Sequence, residues 1–381
     1  MYNRENERKI VYFISGGGTG GHIYPAFTIA QKLLKDKNSR VYYIGNPENL
    51  EFEIVKKNPD IEFLGVNITG MPRKLSFSFF VWMYKLIISF FKACFYIKKY
   101  KPDAVFATGG YVSAPIVSAA AFLKTPYMIH DCDSVPGLVS RLAAPKAQIV
   151  SAAFESAEDV LKSKNIKING NPVREEFFTI TKEEARQRLN IPKDKKVIFA
   201  MGGSQGARTI NTAMTGIIEA LSVQLEAFVI LQTGKKNYED VLEALEKIYP
   251  DYKNNKNIIV QPYFDEMVYP LKASDIVIAR AGSLSLTEII LSETASILVP
   301  YPYAAQNHQY KNALEMRRKG VSLCLEDKDC TTDTLLKMIK ELDNEKTEQM
   351  KKAAKELIKA NPADEIIKQL KSLVFERRQK Y

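Results

Sequence analysis

Short β-branched or apolar runs alternate along the chain with longer stretches of helical periodicity, the pattern of successive βα units around a parallel sheet. In the first half, residues 10–15, 40–44, 62–66, 104–108, 127–130 and 148–151 predict strands. Residues 166–174 read as a closing strand and turn, 179–189 as a charged helix, and Asn190-Ile-Pro-Lys-Asp-Lys-Lys196 as a linker. A second cycle of strands follows at 197–201, 228–232, 258–261, 276–279, 296–300 and 321–325, with helices such as 238–247 and 283–291 between them. Both halves open on one design, an apolar strand running into a glycine turn and a helix. Phe13-Ile-Ser-Gly-Gly-Gly-Thr-Gly-Gly-His22 matches Phe199-Ala-Met-Gly-Gly-Ser-Gln-Gly-Ala-Arg208, which points to two nucleotide-binding half-folds. The lysine-rich stretch 351–381 reads as an amphipathic helix that either caps the second domain or crosses back to the first.

Length fits this division, because 381 residues exceed one ordinary core. The expected domains are residues 1–175, a helix and linker at 176–196, a second domain at 197–360, and a final helix at 361–381. The net charge of +10 favours anionic partners: phosphate-bearing ligands, an acidic membrane surface or nucleic acid. The chain shows no nucleic-acid-binding signature, which removes the last. Cys94, Cys132, Cys324 and Cys330 form no CxxC pair and read as free thiols of a reducing compartment. The polar N-terminus carries no signal-peptide pattern, and the expectation is a chain that stays in the cytoplasm.

Gly16-Gly-Gly-Thr-Gly-Gly21 satisfies GxGxxG, and the helix after it offers free N–H groups to a phosphate. A dinucleotide site also requires an acid closing the second strand, and Tyr43-Ile-Gly-Asn-Pro has none there. A second glycine turn lies at Thr108-Gly-Gly-Tyr-Val-Ser-Ala-Pro115 and a third at Gly202-Gly-Ser-Gln-Gly-Ala207. The three histidines, His22, His130 and His308, all fall at strand ends or loops. His22 is placed to be a general base or to orient an acceptor. His130 with Asp131 and Asp133 resembles a fragment of a metal site, but nothing completes a ligand set, so no metal and no cofactor is expected. The fullest signal is Ala279-Arg-Ala-Gly-Ser-Leu-Ser-Leu-Thr-Glu288 with Gln309 and Asn312. A helix starting at Ser283 can face a diphosphate, Glu288 can accept from both ribose hydroxyls, and the two amides, three apart on one helix face, can read sugar hydroxyls.

These segments resemble the MurG family of N-acetylglucosaminyltransferases, glycosyltransferase family 28, which completes lipid II in peptidoglycan synthesis. The likeness covers nearly the whole chain in order, through six motifs ending at His22, Pro115, Arg174, Ala207, Glu288 and Asn312. It implies a GT-B fold, two Rossmann-like doubly wound domains facing a cleft. It also implies UDP-N-acetylglucosamine as donor and lipid I as acceptor. On the donor it places Thr19, Gly20, Gly21, Asp133, Arg174 and Ser204, Phe264 through its backbone at uracil, and Ser283, Leu284, Ser285, Leu286, Thr287 and Glu288 at diphosphate and ribose. Gln309 and Asn312 would meet the N-acetylglucosamine, and Gly18, Gly109, Gly110 and Tyr111, with His22, the acceptor. The family pattern His-Glu-Gln-Asn is here His130-Asp-Cys-Asp133, a shorter carboxylate followed by a charge in place of an amide. His22 is the expected base and Asp131 its competitor. Rival readings are a glycosyltransferase acting on diacylglycerol, a non-catalytic UDP-sugar-binding protein of the cell-wall machinery, and a NAD-dependent enzyme.

The most apolar stretch runs from Phe77 to Phe95 and is interrupted by Lys85 and Lys92. Its aromatics with flanking lysines read as an interfacial helix, with Phe79, Phe80, Trp82 and Met83 as membrane contacts, ahead of a core helix or a true span. The protein is therefore expected on the cytoplasmic side of the cell membrane as a peripheral protein, against an anionic surface and beside other cell-wall synthesis proteins.

Overall fold

The computed structural model describes residues 8–72, 77–203, 205–358 and 360–379. They fall into two compact units, Met1–Val173 with Ala360–Tyr381, and Arg174–Lys359.

The first unit is built on seven parallel strands: β1 (Ile10–Ser15), β2 (Ser39–Gly45), β3 (Ile61–Gly65), β4 (Ala104–Ala107), β5 (Tyr127–Asp131), β6 (Ile149–Ala152) and β7 (Ile166–Ile168). Their order is β3-β2-β1-β4-β5-β6-β7, so winding reverses between β1 and β4. In an open α/β sheet that reversal marks where ligands bind, beyond the carboxyl ends of the strands. The central strands β1 and β4 read as apolar runs because both faces are covered, whereas β2, β3 and β7 carry exposed residues such as Arg40, Glu62 and Lys167. Val11, Phe13, Tyr42, Ile44 and Val105 pack with the helices Phe77–Tyr100 and Ala114–Phe122. Tyr12, Ile14, Val41, Tyr43 and Phe106 pack with the helices Gly20–Leu34 and Pro362–Gln379.

The last of these helices is continuous in space with the first unit and remote from it in sequence. Ile366, Leu370, Leu373 and Val374 are buried in that second face. Polar clamps add to this: Lys371 pairs with Asp36 at 3.0 Å, Arg377 donates to the carbonyl of Pro102 at 2.8 Å, and Arg378 pairs with Asp103 at 3.3 Å. Residues 351–381, expected as one helix, are therefore two. Asn344–Leu357 ends within the second unit, and Pro362–Gln379 begins anew. Proline cannot extend a helix but suits a first turn, and the Asn361 side chain accepts from Ala363 N at 3.0 Å to start it.

The second unit has six parallel strands: β8 (Val197–Met201), β9 (Phe228–Gln232), β10 (Ile258–Gln261), β11 (Ile276–Ala279), β12 (Ala295–Leu298) and β13 (Ser322–Cys324), in the order β10-β9-β8-β11-β12-β13. Here winding reverses between β8 and β11. The charged helix expected at 179–189 is shorter, Lys182–Arg188, because Thr181 and Glu184 form a reciprocal capping box that fixes its start. Arg186 then reaches Asp275 at 2.8 Å, and the same carboxylate accepts from Val197 N at 2.8 Å, tying helix to sheet.

Candidate active site

At the reversal of the first sheet, β1 runs into the glycine turn and the helix Gly20–Leu34. The capping residue Thr19 has extended backbone but makes no side-chain cap. The peripheral helices at Thr181, Thr331 and Asp343 are capped by their own side chains. An uncapped first turn leaves N–H groups for a ligand and keeps the positive dipole end open.

The turn is held from beneath. Tyr43 Oη donates to Gly16 O at 2.6 Å, and Thr108 Oγ1 donates to His22 O at 2.6 Å. Gly110, at φ +74°, crosses so closely that a methyl group there would lie 2.4 Å from Gly17 O. Glycine is required at that position on both counts. The His22 ring packs on this second turn: a methyl group on Gly109 would sit 3.7 Å from its Nδ1 and Cε1, and 3.4 Å from Ser140 Oγ. Tyr111 covers Gly18 and takes a hydrogen bond from Asn49 Nδ2 at 3.0 Å. Gly18, His22, Gly109, Gly110 and Tyr111 thus form one cluster. The His22 Nδ1 is enclosed with no hydrogen-bond partner among the described residues. Such an orphan in a polar turn is a candidate for proton chemistry.

Asp131 ends β5 and is only 4% exposed. Its Oδ1 accepts from Asp133 N and its Oδ2 from Gly137 N, each at 3.1 Å. Burial pushes its carboxyl above the usual range, while a bond from Ser140 and these two amides pull it back. A carboxylate engaged on both oxygens shapes the loop and has little freedom to fetch a proton. Cys132 is buried and its thiol is pushed well up by burial, so of the departing segment only Asp133 reaches the surface. His130 is fully buried, and burial drives its imidazole down to about 4.

One residue of this site was missed in the sequence. Glu51, seven residues past Ile44, is fully buried beneath the first glycine turn. It accepts from Asn46 N at 3.1 Å and more loosely from Gly18 N at 3.5 Å. An acid therefore does follow the second strand, but it is spent on amides of the loop after β2 and of the glycine turn.

In the second unit, β8 leads through Gly202–Ala207 into the helix Arg208–Glu219, again without a side-chain cap. Gly206, at φ +78°, lies where a methyl group would meet Thr233 O at 2.1 Å. Ser204, expected at the donor, lies outside the described residues. The helix Ser283–Leu291 starts at Gly282, also uncapped, and carries Leu284, Ser285, Leu286 and Thr287 towards Glu288. Glu288 keeps part of its surface exposed. Burial pushes it up to about 7, and the Arg174 guanidinium opposes that shift. Arg174 is aimed by a bond to Asp265 O at 3.1 Å and by the Phe177 ring, 5.9 Å from its guanidinium carbon.

Three other expected donor residues have backbone duties. Phe264 N donates to Gln232 Oε1 at 3.0 Å. Gln309 Oε1 accepts from Tyr301 N at 2.9 Å. Asn312 is fully buried and donates to Ala281 O at 3.1 Å, fixing the turn after β11. Sequence reading also missed Arg280, inside the very motif it singled out. Arg280 donates to Val299 O at 3.1 Å and pairs with Asp327, which in turn accepts from Thr209 Oγ1 at 3.1 Å. The start of helix Arg208–Glu219 is thereby tied to the turn that precedes helix Ser283–Leu291.

Family models match residues 12–151 as the glycosyltransferase family 28 N-terminal domain and residues 197–370 as the glycosyltransferase family 28 C-terminal domain. The chain belongs to glycosyltransferase family 28. Two relatives carry the name UDP-N-acetylglucosamine--N-acetylmuramyl-(pentapeptide) pyrophosphoryl-undecaprenol N-acetylglucosamine transferase. The one from Halothermothrix orenii is 38% identical over 88% of this chain and 91% of its own. The one from Caldanaerobacter subterraneus subsp. tengcongensis is 36% identical over 95% of this chain and 99% of its own. Among solved structures, MurG of Acinetobacter baumannii superposes with a TM-score of 0.76 at 24% identity, covering 96% of this chain and 99% of that one. The glycotransferase of kitacinnamycin superposes with a TM-score of 0.70 at 15% identity, over 96% of this chain and 100% of its own. These two likenesses concern the fold, which is GT-B. The C-terminal family model ends at residue 370, inside the helix that packs on the first sheet.

The apolar helix Phe77–Tyr100 is the crossover between β3 and β4. It is long and apolar enough to cross a membrane, and 28% of its most apolar stretch is buried. Ala93, Cys94 and Ile97 anchor it in the core of the first unit. Its inner face closes the parallel sheet, the position of a crossover helix. Of the expected contacts, Phe80 and Met83 are exposed, while Phe79 and Trp82 are half-buried against each other, the Trp82 indole donating to Thr69 O at 3.1 Å. The exposed stripe continues through Tyr84, Ile87, Phe91 and Phe95, and Phe122 lies beside it against Phe90.

Proposed function

We propose that this family 28 enzyme transfers N-acetylglucosamine from UDP-N-acetylglucosamine to the C4 hydroxyl of the muramyl residue of lipid I, giving lipid II and UDP. The observation that carries this reading is 36–38% identity to transferases of that name across nearly the full length of both chains. The anomeric carbon inverts as the acceptor oxygen forms its bond and the bond to the UDP oxygen breaks. His22 takes the hydroxyl proton. Charge growing on the departing diphosphate is met by the open amides at Ser283 and by Arg174. Glu288, ionised, accepts from the ribose hydroxyls.

The first unit would hold lipid I through its glycine turns, and the exposed stripe of the Phe77–Tyr100 helix would rest on the anionic cytoplasmic face of the membrane. In this reading the enzyme is a peripheral membrane protein, within reach of other cell-wall synthesis proteins. Its activity then serves cell-wall growth, and through it cell shape and division. Incubation with labelled UDP-N-acetylglucosamine and a lipid I analogue should give labelled lipid II and UDP. Transfer to diacylglycerol but not to lipid I, or no transfer at all, would refute the assignment.

A further inference from the structure

A buried chain of hydrogen bonds leads from the returning C-terminal helix to the loop after β5. Asn171 Nδ2 donates to Cys132 O at 3.1 Å, so its Oδ1 must accept. The bond of 3.0 Å from His130 Nε2 to that oxygen then puts the imidazole proton on Nε2. His130 Nδ1 is left as an acceptor and takes the hydroxyl proton of Ser151 at 2.8 Å. Ser151 Oγ accepts in turn from Asn169 Nδ2 at 2.9 Å. Asn169 and Gln369 exchange two amide bonds, at 2.9 and 3.1 Å. Every donor and acceptor role in the series is thereby determined, and His130, Ser151 and Asn171 have no exposed surface.

We infer that Gln369 on the C-terminal helix sets the position of the Asp131–Gly137 loop through Asn169, Ser151, His130 and Asn171. These side chains are positioning residues. None is placed to touch the reacting atoms, and each restrains the backbone that aims Asp133. The bond to Asn169 is not what keeps the helix docked, since Leu370, Leu373 and Val374 and the clamps at Lys371, Arg377 and Arg378 do that. A directed chain differs from packing because each bond polarises the next, so loss of one member weakens those that remain. That the loop bears on catalysis rests on the function proposed above; that the chain orders the loop does not.

The amides of Asp133 and Gly137, both bonded to Asp131, report the loop directly. In full-length Gln369→Leu, their hydrogen exchange should quicken by ~10-fold while exchange in β1 stays unchanged. With lipid I analogue and UDP-N-acetylglucosamine, kcat should fall by ~10-fold, with UDP-N-acetylglucosamine affinity by calorimetry within about twofold of wild type. The exchanged pair Asn169→Gln with Gln369→Asn conserves total side-chain length and should restore both readouts, whereas either single change should not. Unaltered exchange in Gln369→Leu overturns the inference, as does an exchanged pair no better than its singles. Absence of transfer by the wild-type chain would remove the proposed function, and the exchange data would still decide whether the chain orders the loop.

Discussion

The two glycine turns that open the sheets look alike in sequence and differ in what surrounds them. The first is braced by side chains from below, Tyr43, Thr108 and Glu51, and ends on His22, whose Nδ1 has no partner among the described residues. The second is braced by amides, Asn237 Nδ2 donating to Gln205 O at 3.2 Å, and ends on the exposed Arg208. Its ionisable chemistry stands one strand away, at Glu288 and Arg174. Backbone geometry common to both supplies N–H groups for phosphate. The flanking side chains separate a turn suited to moving a proton from one suited to holding a charged donor. Repetition of a half-fold thus leaves the binding device intact while its chemistry diverges.

Four experiments press on that contrast. His22→Ala should lower kcat by ~10³-fold with UDP-N-acetylglucosamine affinity unchanged in calorimetry, within the range for a lost general base. Wild-type turnover would erase the distinction between the turns. Glu288→Gln should do the reverse, raising the donor Kd by ~10-fold or more at pH 8 with a smaller effect on kcat. In the wild type, donor binding should weaken as pH falls through about 7, where the carboxylate gains its proton. The stability sign is opposite. The folded value lies above the unfolded one near 4.5, so the ionised group opposes folding; this cost is absent below that pH and complete above about 7. Glu288→Gln should accordingly gain about 1–3 kcal/mol in denaturant unfolding at pH 8 and nothing at pH 4.

Replacement of Gly110 or Gly206 by alanine should cost about 1–3 kcal/mol of stability in either unit, because each combines positive φ with a carbonyl in the path of the new methyl. Steady-state kinetics should then distinguish them, Gly110→Ala raising KM for lipid I and Gly206→Ala raising KM for UDP-N-acetylglucosamine. The smallest effect on chemistry is expected from Phe80→Ser with Phe91→Ser. Sedimentation with phosphatidylglycerol vesicles should fall several-fold, while turnover on a short-chain, soluble lipid I analogue stays within about twofold.

Strands were the most legible part of the sequence. All thirteen lie within a residue or two of the runs that predicted them, most sharply in buried strands such as β4, β8 and β11, which have no polar position to blur their limits. Glycine turns were legible for a similar reason, since few residues tolerate their geometry. What stayed hidden depended on partners distant in sequence. Glu51 looks like any surface glutamate of a short helix until the β1 turn closes over it. Asn312 sits on the expected helix but faces Ala281 instead of solvent, a matter of helix rotation that spacing alone does not fix. His130 carries a typical site-residue pattern, and only the positions of Ser151 and Asn171 reveal a neutral spacer. The tail was read as one helix because its periodicity runs on through Asn361-Pro362, the point where the backbone starts afresh.

That restart has a consequence for biosynthesis. The second unit is continuous, residues 174–359, and every strand it needs is present once that segment leaves the ribosome. The first unit is split: the core that holds helix Gly20–Leu34 and β4 lacks Leu370, Leu373 and Val374 until the last helix is made. At roughly 5–20 residues per second, the intervening segment alone takes on the order of 10–40 s to make. For that interval the domain translated first lacks part of the cover on one face of its sheet, which is completed only once the helix Pro362–Gln379 has been made.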